Sequence, residues 1–314
     1  IGNGAFKGCP LVSITLPFVG KDRNVSSTVE KTNGSGYIGS SVLFGYIFGA
    51  NTIETGSSNA PTSTEKLIYQ GQDAYSYYSS SDRRDRYYWT RYYIPSTLKN
   101  VTITDATGIS ANAFYGCTMI ESLILNEGIT VVYDWAFHNC KVLKAMILPA
   151  SVIEVGSYAF YNCTALKDIL LPATVTEVGI YAFGECGNLT SIALSNLTMI
   201  SQGLFYNCKS LTSIILPETL TAVESYAFYN SGLESMQLPD TVISIGSYAF
   251  GGCSGITEIS LPTGLKKIGD YAFENVQLTT VIVPNSVESI GNGAFKGCPL
   301  VSITLPFVGK DRNV

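Results

Sequence analysis

The chain has 314 residues, 46% of them hydrophobic and only 14% charged, against a typical charged share of ~25%. That balance excludes a disordered chain, and a net charge of −5 excludes a basic field able to hold a phosphate backbone. The longest nearly apolar run, 42–50, falls far short of the ~18 residues of a membrane helix, and nothing at the amino terminus reads as a signal peptide.

Residues 1–17 open in the middle of a pattern: Ala5-Phe6, then Cys9, then Leu11-x-x-Ile14-x-Leu16-Pro17. The pattern is then lost for some eighty residues. Phe6 and the next Ala-Phe pair, at Phe114, are separated by an interval of 108, a surplus of about 85 over the later period. A structureless loop of that length is improbable in a compact protein. Residues 18–97 are therefore expected to form a small β-rich island, with strands at 37–48, 66–70 and 87–94. Within 75–93 the island concentrates seven Tyr and Trp89 beside Arg83, Arg84, Arg86 and Arg91.

From residue 98 to 306 the pattern repeats without a gap. The key Phe recurs at 114, 137, 160, 183, 205, 228, 250, 273 and 295, at intervals of 22 or 23; Leu204 replaces Ala only before Phe205. A period of that length lies in the leucine-rich-repeat range. In Leu166-x-x-Ile169-x-Leu171-Pro172, Ile169 and Leu171 share one strand face, and proline ends the strand. Val175, Val178, Ala182 and Phe183 fill the coil from the opposite side. No single unit can bury these groups, so neighbouring coils must stack around one core. The expected fold is a right-handed leucine-rich-repeat solenoid, mainly β with an irregular convex side, interrupted by the island.

Cys9, Cys117, Cys140, Cys163, Cys186, Cys208, Cys253 and Cys298 all lie three residues after the repeat's Phe, where Ser231 and Val276 stand in the other two units. A position that takes Cys, Ser or Val asks for a small buried group, which free Cys provides. The reading is a structural thiol ladder, with some disulfide pairing or a metal as alternatives. Zinc fits poorly because no C-x₂-C pair exists and the single His is not spaced with any cysteine. No metal or cofactor is expected.

The motif Leu-x-x-Ile-x-Leu-Pro followed by Val-x-x-Ile/Val-Gly-x-Tyr-Ala-Phe-x-x-Cys, as in Ile256 to Leu261-Pro262 and on through Tyr271-Ala-Phe273, resembles the BspA-like (Treponema pallidum type) leucine-rich-repeat family. The match covers 98–306 and 1–17. Segments such as Leu43 to Gly49 and Tyr92 to Ser96 resemble islands in some gut Firmicutes members. The resemblance implies a secreted or cell-surface bacterial protein that adheres to host matrix or cell-surface proteins, or to other cells. It names no ligand, because function resides in sites and not in folds.

Catalysis finds little to use. His138 is the only histidine, at a position held elsewhere by Tyr161, Gly184 or Lys296, and reads as exposed filler. No nucleophile elbow or phosphate loop occurs, and buried thiols lack the electropositive, open setting of a nucleophile. Asp82 and Asp85 sit among Arg83, Arg84 and Arg86, so mutual neutralisation accounts for them better than a glycosidase pair. The expectation is a non-enzymatic module.

Two binding surfaces are expected instead. On the concave sheet, the residue between the inward Ile and Leu points outward. In adjacent coils it is Ile124, Ile147, Leu170, Ala193 and Ile215, a stripe ~20 Å long at one strand spacing per coil. Small or polar Ser122, Ala145, Asp168, Ser191 and Ser213 border it. An apolar patch with a polar border suits a protein partner, although strand propensity alone also favours such residues and the island could fold over them. The second surface is the island's Arg83, Arg84, Arg86, Tyr87, Tyr88, Trp89 and Arg91, of the types that dominate interface hot spots. It would serve a protein partner, serve a glycan, or be island core. The column Trp135, Tyr158, Tyr181, Tyr226, Tyr248 and Tyr271 belongs to the repeat template and reads as packing. A structural spacer that displays a distal domain is the competing function.

Residues 290–314 are identical to 1–25. Neighbouring repeats share far less, so a second-order tandem period is expected, equal to the offset of 289 between Ile1 and Ile290. Residues 307–314 would open the next island copy. On this expectation the chain is one period of a longer protein, and a missing signal, cap or anchor carries no information.

Overall fold

The computed structural model describes residues 4–19, 44, 50–54, 67–77, 86–194 and 196–307, with 50–54, 67–77 and 86–93 as backbone only. Every strand of the repeat region is short, as the template requires. Proline closes most of the inward-facing apolar pairs, and a new coil begins one repeat period later. The strands pair parallel and in register, so chemically equivalent residues stack. Asp168, Ile169 and Leu170 lie beside Ala145, Met146 and Ile147 on one side and Ser191, Ile192 and Ala193 on the other. A second column of two-residue strands runs parallel to the first, from Gly108–Ile109 to Ser289–Ile290, with Glu154–Val155 between Val131–Val132 and Glu177–Val178. The described residues contain no α-helix. The chain is a β-solenoid of stacked coils.

The core lies between the two columns. From Phe114 to Phe273 the repeat's Phe side chains are fully buried and, with half-buried Phe295, form one stack, with ring centroids 5.1 Å apart between Phe137 and Phe160 and 5.3 Å between Phe160 and Phe183. Each Phe N–H donates to the residue before the next coil's Phe, as in Phe137 N to Ala159 O at 2.7 Å. The small Ala sets this spacing. Where Leu204 replaces it, the Phe183 and Phe205 rings are 6.1 Å apart and the Phe183 N to Leu204 O bond lengthens to 3.2 Å.

Two residues before each Phe, the backbone turns through the left-handed region. Trp135, Tyr158, Tyr181, Tyr226, Tyr248 and Tyr271 all have φ between 53° and 60°. A side chain there costs about 1–2 kcal/mol, and stacked aromatic pairs contribute about 0.5–1.5 kcal/mol each. The stacking is present: 4.3 Å between Trp135 and Tyr158, and 4.9 Å between Tyr248 and Tyr271. Gly203 interrupts the column, and the Tyr181 ring leans into the space that a Cβ on Gly203 would need.

All eight cysteines are free thiols, six of them buried. From Cys140 to Cys298 each cysteine Sγ donates to the carbonyl of the preceding coil's Phe, at 3.2 Å from Cys140 to Phe114 O and at 3.0 Å from Cys298 to Phe273 O. Ser231, standing in the same column, meets Cys253 Sγ at 3.3 Å. The thiol column thus adds six bonds along the stack, and Val276 interrupts it.

The long insertion does not break the solenoid. Strand Ser13–Leu16 pairs parallel with Asn100–Ile103, Ile14 beside Val101 and Leu16 beside Ile103. Phe44, from within 18–97, takes the core slot ahead of Phe114: it is fully buried, its N–H donates to Ala113 O at 2.7 Å, and the two rings lie 5.0 Å apart. The long interval between Phe6 and Phe114 therefore spans two coils, from Phe6 to Phe44 and from Phe44 to Phe114, and the surplus is smaller than the spacing suggested. The sequence carried a sign of this, since Leu43-Phe44 repeats Leu204-Phe205. Within the island, Arg86–Pro95 pairs antiparallel with both Ala50–Glu54 and Leu67–Tyr77, with a register shift between Gln72 and Ala74. Two of the expected island strands thus fall on observed ones, and 37–48, apart from Phe44, lies outside the described residues.

Candidate binding face

The outward column of the longer strands is set by alternation. Leu123, Met146, Ile169 and Ile192 point into the core, so the next residue on each strand must face solvent. Ile124, Ile147, Leu170 and Ile215 are 60%, 74%, 60% and 82% exposed. Ala193 joins the stripe, paired in register with Leu170 and bridged to Ile215. Residues on successive coils of such a column lie ~4.8 Å apart, close enough for one partner to cover all five. The stripe is thus open along its length. Gln237 and Ser260 then interrupt it before Ile282, which is 68% exposed.

The border is polar and, at one end, charged. Ser122, Ala145, Asp168, Ser191 and Ser213 are all exposed. Glu121 bridges Lys99 at 3.2 Å and Lys144 at 3.0 Å. Hydrogen bonds from Lys144 and then Lys99 hold its carboxyl below the ordinary carboxylate range. These exposed pairs are worth little to stability, but they fix a charged rail along the start of three strands.

The island residues fare differently. Arg86, Tyr87, Tyr88, Trp89 and Arg91 lie on one strand, with Trp89 opposite Ile53 on one neighbour and Ala74 on the other. Arg83 and Arg84 lie outside the described residues.

His138 departs from the expectation of exposed filler. Its side chain is buried, stacked 4.6 Å from Tyr115 and 5.3 Å from Tyr161, with Trp135 tilted against it at 4.7 Å. The position after the Phe tolerates many residues because its environment comes from the same position in adjacent coils. Here both neighbours are Tyr, and they enclose the imidazole. Burial lowers its pKa from 6.5 to about 4, and Nδ1 has no hydrogen-bond partner among the described residues. The rings stacked on it are Tyr and Trp, so the geometry supplies a packed neutral ring and no acid–base pair among the described residues. Burial also pushes the interior thiols up, Cys140 and Cys186 to about 12 and Cys253 to about 11. Such thiols are poor nucleophiles. Among the described residues no cluster of His, Cys, Asp and Glu could hold a metal ion, and no helix is long and apolar enough to cross a membrane.

Short parallel coils of one regular period, a buried Phe and thiol column and an open strand face define a leucine-rich-repeat solenoid. More particularly, the chain belongs to the family described as the BspA type leucine rich repeat region, whose model matches residues 91–198 and 177–302. Among solved structures, a leucine-rich repeat protein of Bacteroides ovatus is 24% identical, with a TM-score of 0.46 over 67% of this chain and 73% of that one. The leucine rich repeat protein of T. pallidum is 28% identical, with a TM-score of 0.42 over 52% and 67%. A leucine rich cell surface protein of Faecalibacterium prausnitzii is 27% identical, with a TM-score of 0.37 over 56% and 65%. No curated protein matches the chain significantly.

Proposed function

We propose that the chain is a non-enzymatic binding module of a bacterial cell-surface or secreted protein, and that the strand face carrying Ile124, Ile147, Leu170, Ala193 and Ile215 recognises a protein partner. The observation that carries this reading is the exposure of four large apolar side chains on one face, 60–82% each. A stripe of that kind with a polar border is the signature of a contact surface. Family membership supports the cellular location, and the adhesive role is the one such surface modules serve. A glycan is the weaker choice for the repeat region. Sugars stack on open ring faces, whereas Tyr158 stacks on Tyr181 and Tyr226 stacks on Tyr248.

The test is an array of host matrix proteins, cell-surface proteins and glycans, probed with the whole chain and with the double variant Ile147→Asp/Leu170→Asp. Burying each apolar side chain contributes ~1.5–3 kcal/mol, so losing two is expected to weaken binding at least about 100-fold. Unchanged binding by a folded double variant refutes the stripe. Binding to nothing at micromolar concentration favours the spacer, in which the module only extends a distal domain.

A further inference from the structure

The duplicated segment provides an internal comparison. Residues 11–17 and 300–306 have the same sequence, yet their surroundings differ. Leu16 is 3% exposed and its counterpart Leu305 is 46%; Val12 is 59% exposed and Val301 is 87%. Ile14 is half-buried, whereas Ile303 is exposed. The difference is one neighbouring coil. Asn100–Ile103 lies in parallel register on Ser13–Leu16. Lys99 N donates to Val12 O, Thr104 N to Leu16 O and Asp105 N to Pro17 O, each at 2.9 Å, and Thr97 Oγ1 donates to Leu11 O at 2.7 Å. Strand Ser302–Thr304 has Thr280–Ile282 on one side, in register, and is the outer strand of its sheet.

We infer that the edge at Ser302–Thr304 is a docking surface for a second copy of this chain's own coil 97–106. The identical strand already holds that coil across the island, so shape, register and hydrogen-bond acceptors are those of an interface present elsewhere in the molecule. The carbonyls of Leu300, Val301, Leu305 and Pro306 take the places of Leu11, Val12, Leu16 and Pro17. The occupant belongs to the same polypeptide, one tandem period further on, because in a separate molecule the coil 97–106 is already covered by its own Ser13–Leu16. Consecutive units then form one uninterrupted solenoid, with one island per tandem period. Open, unpaired strand edges invite association with other chains, and stacking of this kind removes one.

The test uses the single-unit chain, residues 1–314, and a tandem in which residues 26–314 follow Val314, so that the shared segment joins two units. Small-angle scattering of the tandem is expected to show one stiff rod of about twice the length. An ensemble of two rods at variable angles overturns the inference. Leu305→Asp separates docking from folding. In the single-unit chain it leaves the melting temperature nearly unchanged, because the side chain is already half in water, whereas Leu16→Asp lowers it by many degrees. At the tandem junction, Leu305→Asp is expected to convert the rod to two hinged units. A junction that stays rigid with this substitution overturns the inference.

Discussion

Replacing His138 with Tyr, the residue at the same position in the coils on either side, is expected to flatten the acid limb of the stability profile. In the folded chain the imidazole lies between Tyr115 and Tyr161 with its pKa lowered from 6.5 to about 4 by burial. The unfolded chain binds a proton near pH 6.5, and the folded chain resists until near pH 4. The stability contributed by the neutral ring is thus fully present above pH 6.5, falls as pH drops through the interval between the two values, and is flat below it. The gap from 6.5 to about 4 sets a ceiling of about 3.4 kcal/mol. The enclosing Tyr and Trp rings are themselves half-buried, and water near the cation reduces this to about 1–2 kcal/mol. Urea unfolding of both proteins at about pH 7.5 and about pH 4.5 measures it, because the carboxylates titrate alike in both and cancel in the difference. The native chain should lose about 1–2 kcal/mol more than His138→Tyr over that span. Equal losses refute the reasoning, and so does a larger loss in the variant.

The remaining predictions concern the columns. Under native conditions at mildly alkaline pH, Ellman's reagent should react readily only with half-buried Cys9 and Cys298, and with all eight thiols in denaturant. Fast reaction of Cys140 or Cys186 would contradict thiols pushed up to about 12. Leu204→Ala should cost less than the ~2–5 kcal/mol usual for a buried Leu, because the 6.1 Å ring spacing at that coil can close toward the 5.1 Å and 5.3 Å of its neighbours. A loss above about 3 kcal/mol in chemical denaturation would show that the coils cannot approach. Phe160→Ala, which opens the stack between Phe137 and Phe183, should lose at least about 3–5 kcal/mol, and in a solenoid the loss should appear as two separate unfolding transitions.

The repeat itself was legible in the sequence, down to individual positions. A regular short period fixes which side chains are neighbours, because residues one period apart must stack if no coil can bury its own apolar groups. From that rule alone followed the buried Phe column, the thiol column in which Ser231 replaces Cys, and the outward direction of Ile124, Ile147 and Leu170. Tertiary structure decided what depends on which particular neighbour is present. Phe44 enters the core from the island because the stack has a slot ahead of Phe114 and the inserted chain can reach it, a pairing no period announces. His138 became a buried, neutral ring because both flanking coils carry Tyr at that position, which a survey of that position along the chain could not weigh. Leu16 and Leu305 have the same sequence around them and opposite environments. Local sequence sets what a coil can stack on, and only the fold determines whether something is there.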